Sequence, residues 1–306
     1  MKEVIRTHKL SKAYGEDVAL SNINITVGQG DIYGLVGNNG AGKTTLLRIL
    51  TGQTVASSGD YELFSKSSDK ELLRIRKKIG SIIEAPGFYS DLTVWQNMEY
   101  YRIQRGIPGK DRITKVLEEV NLLYAKKKKF ADLSLGMKQR LGLALAIMTE
   151  PDLLLLDEPI NGLDPSGIVE IRNLLLKLNK EKNITILISS HILTELSNIA
   201  TCYGFLNKGK LVEQISTEEL GEKCKSFIEI KVTNANKLSA LLEQKLGYKD
   251  FKVLQNNIIH IFDNNSRVEQ ISELAVCNGI GLLEIKEKSV NLENYYMSLI
   301  GGVVND

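Results

Sequence analysis

Eight residues, Gly37-Asn38-Asn39-Gly40-Ala41-Gly42-Lys43-Thr44, carry glycine, lysine and threonine at the spacing of a phosphate-binding loop. Glycines at such a loop let backbone N–H groups turn inward toward phosphate oxygens, and a helix beginning behind them adds the positive end of its dipole. Lys43 is expected to reach the β- and γ-phosphates and the Thr44 hydroxyl to ligate Mg²⁺, with Thr45 following in the same turn. A second chemical group lies at Asp157-Glu158-Pro159, where the apolar run Leu153 to Leu156 ends in two adjacent carboxylates. Asp157 is expected to hold the magnesium through its shell. Glu158 is expected to polarise a water in line with the γ-phosphate, a role that contributes about 10²- to 10⁴-fold to a rate. Together these residues imply a nucleoside triphosphate bound with Mg²⁺.

Such groups work only if strand ends and helix starts hold them. The loop follows a short apolar run, Asp31-Ile-Tyr-Gly-Leu-Val-Gly37, and precedes a helix-like stretch from Thr45 to Leu50. Alternation at Val18, Leu20, Ile23, Ile25 and Val27 predicts half-buried strands near the N-terminus. The runs Ile79 to Ile83, Leu153 to Leu156 and Ile184 to Ile188 are continuously apolar, as a parallel sheet buried on both faces requires. Residues 92–149 read almost wholly helical, an inserted helical subdomain within an α/β core. The expected fold is therefore α/β: a phosphate-loop core over residues 1–215, with an antiparallel β subdomain and this helical insertion. Beyond it, 216–306 reads as a small α+β domain of β-α-β-β-α-β pattern with a final helix, suited to docking or dimerisation.

Composition narrows the class. The chain has 306 residues, 43% hydrophobic and 25% charged, with a formal net charge of +2, which is ordinary for a globular protein and gives no global footprint for nucleic acid. Cys202, Cys224 and Cys277 are too scattered for a disulfide framework or a zinc site. Met1-Lys-Glu-Val-Ile-Arg6 lacks the apolar core of a signal peptide, and no apolar stretch reaches the ~18–20 residues that span a bilayer. The expectation is a soluble chain whose partner need not be soluble.

Leu133-Ser134-Leu135-Gly136-Met137-Lys138-Gln139-Arg140 resembles the signature of the ABC-transporter ATPase family, usually Leu-Ser-Gly-Gly-Gln. Ser134 and Gly136 match; Leu135 and Met137 depart. Ser134 also reads independently as the opening of a helix whose N-terminal N–H groups could receive an anion. The resemblance extends over about residues 1–215 and implies further roles. Tyr14 stands where the family places an aromatic against adenine, so ATP is the implied nucleotide. His191, in Ser189-Ser-His-Ile192, matches the switch histidine that contacts the γ-phosphate. Asp164, in Asn161-Gly-Leu-Asp164, resembles the D-loop, and with Pro165 it is equally a helix N-cap and first-turn pair. Glu84 replaces the family's usual glutamine after the strand at Ile79 and is implied as a third metal-side oxygen beside Thr44 and Asp157.

Glu84, taken with Ser-Leu-Gly-Met in the signature, resembles the bacitracin and lantibiotic exporter branch, as do Leu292-Glu-Asn-Tyr-Tyr296 and Gly301-Gly302. That branch implies an ATPase on the cytoplasmic face of the membrane, pairing with a separate permease. It also implies a homodimer, or a paired ATPase subunit, closing over two ATP molecules so that Ser134, Gly136 and Asp164 complete the neighbour's site. Phe88-Tyr89 and the segment Trp95 to Tyr101 then become the permease-facing surface or, equally, core. The run Lys126 to Lys129 reads as a solvated face. A non-transport ABC ATPase acting on ribosomes or nucleic acid is the competing class. It sits poorly with the balanced charge and with the lack of a fused second half or a long coiled-coil insertion. A phosphate-loop kinase explains neither the signature nor the Asp-Glu pair.

Overall fold

The computed structural model describes residues 2–84, 87–224, 226–263, 266–289 and 292–301, with the side chains of residues 226, 289, 300 and 301 left aside. Gly302, part of the C-terminal resemblance, lies outside the described residues. The chain divides into two compact units, Met1–Thr217 and Glu218–Asp306.

The first unit is built on a six-stranded sheet. Its order is Lys210–Ser216, Cys202–Asn207, Ile32–Val36, Thr185–Ser190, Leu153–Asp157 and Ile79–Ile82. All neighbours are parallel except the Cys202–Asn207 and Lys210–Ser216 pair. Every residue of Ile32–Val36 and Thr185–Ser190 is buried, which is why these strands read as continuous apolar runs rather than alternating ones. Parallel pairing brings all C-terminal strand ends to one edge. The register does the rest: Val36 pairs with Ser190, Asp157 with Ser189 and Ile82 with Leu156. Residues 37, 158, 191 and 84, close behind those ends, therefore emerge side by side.

An antiparallel sheet is formed by Asp17–Ile23, Glu3–Tyr14 and Thr26–Gly28, with Ser58–Leu63 also pairing with Glu3–Tyr14. Val18, expected to be half-buried, is 61% exposed, whereas Leu20 and Ile23 are fully buried. Helix Lys43–Thr51 is held between the two sheets. Its Leu46, Leu47, Ile49 and Leu50 share one core cluster with Ile5 and Leu10 of one sheet and Leu153, Leu155 and Leu187 of the other. Burying each such side chain contributes about 1.5–3 kcal/mol, so the helix behind the phosphate loop is anchored on both sides.

The helical insertion consists of Val94–Gln104, Asp111–Glu119 and Leu135–Ile147, with two 3₁₀ turns, Leu123–Ala125 and Phe130–Asp132, between the second and third. Thr93 and Gln96 cap the first with a reciprocal box: Thr93 Oγ1 accepts from Gln96 N at 3.1 Å and Gln96 Oε1 from Thr93 N at 2.8 Å. Asn97, fully buried, accepts from Tyr89 N at 2.8 Å and donates to the carbonyls of Tyr89, Leu92 and Thr93. One side chain thus fixes the loop ahead of the helix. The aromatic segment is divided between inside and outside: Phe88 packs on Tyr101 and Phe130, whereas Tyr89 and Tyr100 are exposed.

The second unit has a four-stranded antiparallel sheet in the order Phe251–Val253, Ile258–Ile261, Ser226–Val232, Leu282–Ser289. Ile228, Ile230, Ile259 and Ile261 pack one face against Leu238, Leu242, Ile271 and Ala275 of helices Ala235–Leu241 and Val268–Cys277 and the turn following the first of these. On the other face the Phe227 and His260 rings lie 4.4 Å apart, and Glu229 meets His260 and Lys288, each at 2.8 Å. A final helix spans Leu292–Gly301. No helix among the described residues is long and apolar enough to cross a membrane.

Candidate active site

The phosphate loop joins the end of Ile32–Val36 to the start of helix Lys43–Thr51. Gly42 carries φ +108°, and a Cβ there would meet Ala19 O at 2.6 Å, so both conformation and packing demand glycine. Gly40, at φ +79°, has nothing within 4 Å of a would-be Cβ: its constraint is conformational, and its surroundings are open. No side chain caps the helix that follows. Its first-turn N–H groups therefore remain for an anion, next to the loop segment Asn38, Asn39 and Ala41 and ahead of Thr45.

Lys43 is only 5% exposed and folds back over the loop. Its Nζ donates to Gly37 O at 2.6 Å and Asn38 O at 3.2 Å, and lies 3.2 Å from Glu158 Oε1. The Thr44 hydroxyl donates to Asp157 Oδ2 at 2.7 Å. Ser189 on the neighbouring strand donates to the other oxygen, Oδ1, at 2.6 Å. That hydroxyl also accepts from Glu158 N at 3.0 Å, so one serine ties the two acidic residues to the strand that leads into His191. His191 Nδ1 lies 2.7 Å from Glu158 Oε2, and Asn161 Nδ2 donates to the same oxygen at 3.2 Å. Glu158 itself sits in the left-handed region at φ +45°.

Lys43, Thr44, Asp157, Glu158 and His191 thus form one hydrogen-bonded array. Chemically it offers a buried cation beside bare helix N–H groups, a pair of hard oxygens at Thr44 and Asp157, and a carboxylate gripped by a histidine. Glu84 is turned elsewhere. It is exposed, has φ +61°, and its carboxylate pairs with Arg48, one helical turn beyond Thr44, rather than with Thr44 or Asp157. Tyr14 stands on the antiparallel sheet, 46% exposed, with Lys12 Nζ 4.8 Å from its ring centroid.

Ser134, Gly136 and Asp164 come together in a separate cavity of about 320 Å³, bordered also by Gly162 and by Arg140 and Glu170, which pair at 3.2 Å. Among the described residues none of the three bonds to the Lys43–His191 array. Ser134 caps helix Leu135–Ile147 by accepting from Met137 N at 3.3 Å, so that N–H is already taken and only the others of the first turn remain for an anion. Asp164 has the backbone of an N-cap ahead of Pro165, yet its side chain makes no capping bond. It accepts from Ser166 Oγ at 2.5 Å, and that hydrogen bond holds its carboxyl below the usual range.

Sequence reasoning passed over Glu195. Burial pushes its carboxyl up, with His191 and Glu158 nearby, and its Oε2 is buried without a hydrogen-bond partner among the described residues. The signal was present as a glutamate four residues after His191. The bonding roles of Ser189 and Asn161 were equally unread, although both residues sit inside segments singled out for other reasons.

A family model described as ABC transporter matches residues 20–161. The bacitracin transport ATP-binding protein BcrA of Bacillus licheniformis is 43% identical over 302 residues, covering 99% of this chain and 99% of that one. The chain belongs to the ABC transporter ATP-binding family. The lantibiotic transport ATP-binding protein SrtF of Streptococcus pyogenes is 40% identical over 209 residues, 68% of this chain and 89% of that protein. Among solved structures, a dimeric ATP-binding cassette in a post-hydrolysis state with ADP and Pi is 25% identical, with a TM-score of 0.64, covering 70% of this chain and 98% of that one. As a member, this chain is an ATPase whose hydrolysis is coupled to transport.

Proposed function

We propose that this chain is the ATP-hydrolysing subunit of an exporter that carries a peptide antibiotic of the bacitracin or lantibiotic kind through a separate membrane permease. The observation that carries the cargo is the full-length 43% identity to a bacitracin transport ATP-binding protein. Residues 1–215 are the nucleotide-binding domain and 216–306 an accessory domain. The subunit sits at the cytoplasmic face of the membrane, docked on the permease through the surface around Glu84, Tyr89 and Tyr100.

The residues of the array take distinct parts in hydrolysis. Backbone N–H groups from Gly37 to Thr45 receive the phosphates, and Tyr14 stacks on adenine, a contact worth about 1–3 kcal/mol by analogy with nucleic-acid platforms. The oxygens of Thr44 and Asp157, 2.7 Å apart, fit a hard divalent cation, and Glu84 joins them once its pair with Arg48 opens. Mg²⁺ held there would neutralise charge developing on the phosphates. Lys43 exchanges Glu158 for a phosphate oxygen, which frees the carboxylate to accept a proton from the attacking water. His191 and Asn161 keep that carboxylate aimed. Ser134, Gly136 and Asp164 supply the other wall, on the nucleotide of a second copy, so two sites form across a two-fold. ATP favours the closed pair because only that state gives its γ-phosphate the second wall.

Disrupting the gene in its host should lower the inhibitory concentration of bacitracin or a lantibiotic several-fold. Wild type should restore resistance and Glu158→Gln should not. A pull-down from solubilised membranes should recover a multi-span permease. Unchanged sensitivity to every such peptide would overturn the cargo, and recovery of ribosomal proteins instead would overturn transport.

A further inference from the structure

Strand Leu282–Ser289 is an edge of the accessory sheet. It pairs with Ser226–Val232 on one side and with no strand among the described residues on the other. An edge of this length exposes a row of backbone donors and acceptors that can template another strand. Leu283 on it is 62% exposed, and Val276, near the end of the helix packed against it, is 65% exposed. The register with Ser226–Val232 sorts the side chains. Ile285 and Glu287 lie opposite Ile230 and Ile228 on the helix-covered face, whereas Glu284, Lys286 and Lys288 lie opposite Lys231, Glu229 and Phe227 on the other.

A second copy can extend this sheet antiparallel, with both helix layers on one side, only about a two-fold normal to the sheet. Each residue then faces one of the same side, so the axis must pass through a residue rather than between two. An axis at Glu284 sets glutamate against glutamate, and one at Lys286 sets lysine against lysine. An axis at Glu287 does the former and adds a Lys286–Lys288 clash, and one at Leu283 leaves hardly any strand overlapping. An axis at Ile285 gives no like-charge pair. Ile285 faces itself and Glu284 faces Lys286 twice, while the register shift beyond Glu284 turns Leu282 to the helix-covered face with Ile285. Within one chain Glu284 and Lys286 already pair, so the joined strands place alternating charges around an apolar centre.

From this self-complementarity we infer that the edge strand Leu282–Ser289 is a homodimerisation surface that holds two copies of the chain together without nucleotide. Its partner is a second copy of the same strand in the register centred on Ile285. The interface is additional to the ATP-dependent closure proposed above and does not depend on it.

The test is the mass of the full chain in solution, free of nucleotide, by sedimentation across a concentration series. Wild type should dimerise. Glu284→Lys and Lys286→Glu should each raise the dissociation constant about tenfold or more, because two attractive cross-strand pairs become repulsive. Mixing the two variants should restore the dimer, since lysines of one chain then face glutamates of the other. Each chain still carries like charges within itself, so a merely intrachain effect would not be rescued. A wild type that stays monomeric without nucleotide, or a mixture no tighter than its components, overturns the inference. ATP-driven association of Glu158→Gln, measured separately, would survive either result, so the two kinds of association stand or fall apart from one another.

Discussion

Glu158→Gln separates the two duties of the acidic residue that the array holds in place. Its Oε1 lies 3.2 Å from a lysine only 5% exposed, and its Oε2 lies 2.7 Å from His191 Nδ1. A hydrogen bond to a charged group contributes about 1.5–3 kcal/mol, and glutamine retains part of it as a neutral bond. ATP must displace this grip to reach Lys43. Removing the charge should therefore favour binding by about 1 kcal/mol, or roughly fivefold in dissociation constant. Turnover should fall by about 10²- to 10⁴-fold, because the amide cannot accept the water proton. Fluorescent-nucleotide titration reads the first effect and phosphate release the second, and sedimentation with ATP and Mg²⁺ should show the closed pair accumulating. Weaker ATP binding in the variant would refute the exchange of Lys43 between Glu158 and phosphate, and retention of more than about a tenth of the turnover would refute the proton-accepting role of Glu158.

Three further outcomes follow from particular contacts. Asn97→Ala takes the partner from Tyr89 N, while the carbonyls of Tyr89, Leu92 and Thr93 keep backbone donors, and should cost about 1–3 kcal/mol in urea unfolding of the first unit. Glu195 carries a raised folded-state pKa, so its contribution to stability is present in full below its unfolded pKa of about 4.3 and is lost as pH rises through the folded value. Glu195→Gln should accordingly stabilise at pH 7, by under about 1 kcal/mol after screening, and the gain should vanish in thermal melts below the unfolded pKa. Glu84→Gln should change stability by less than about 1 kcal/mol, since its pair with Arg48 is exposed, while antibiotic resistance in cells should fall more than ATPase activity does.

The phosphate loop, the Asp157-Glu158 pair and His191 were legible in the sequence because each follows an apolar strand, and parallel pairing sends such strand ends to one edge. The fold class was legible for the same reason: fully buried strands leave unbroken apolar runs. Which strands are neighbours was not, since register depends on tertiary pairing that no local pattern encodes. Side-chain choices made through space were hidden too. Nothing near Glu84 announces that Arg48 will claim it, and nothing near Asp164 says its carboxylate will take Ser166 rather than cap its own helix. Glu195 escaped because a glutamate in a short helix is ordinarily a surface residue, and its burial comes from what packs around it.

The left-handed backbone at Glu158 has a consequence for how this chain can be improved. A non-glycine residue held at φ +45° costs about 1–2 kcal/mol against glycine, yet glycine would leave Lys43 and His191 without their shared carboxylate. A search for thermostable variants scored on folding alone would therefore tend to replace the proposed general base. Stability and activity compete at this position, and hardening the enzyme for use is safer elsewhere, in the core around Leu46 or in the accessory sheet.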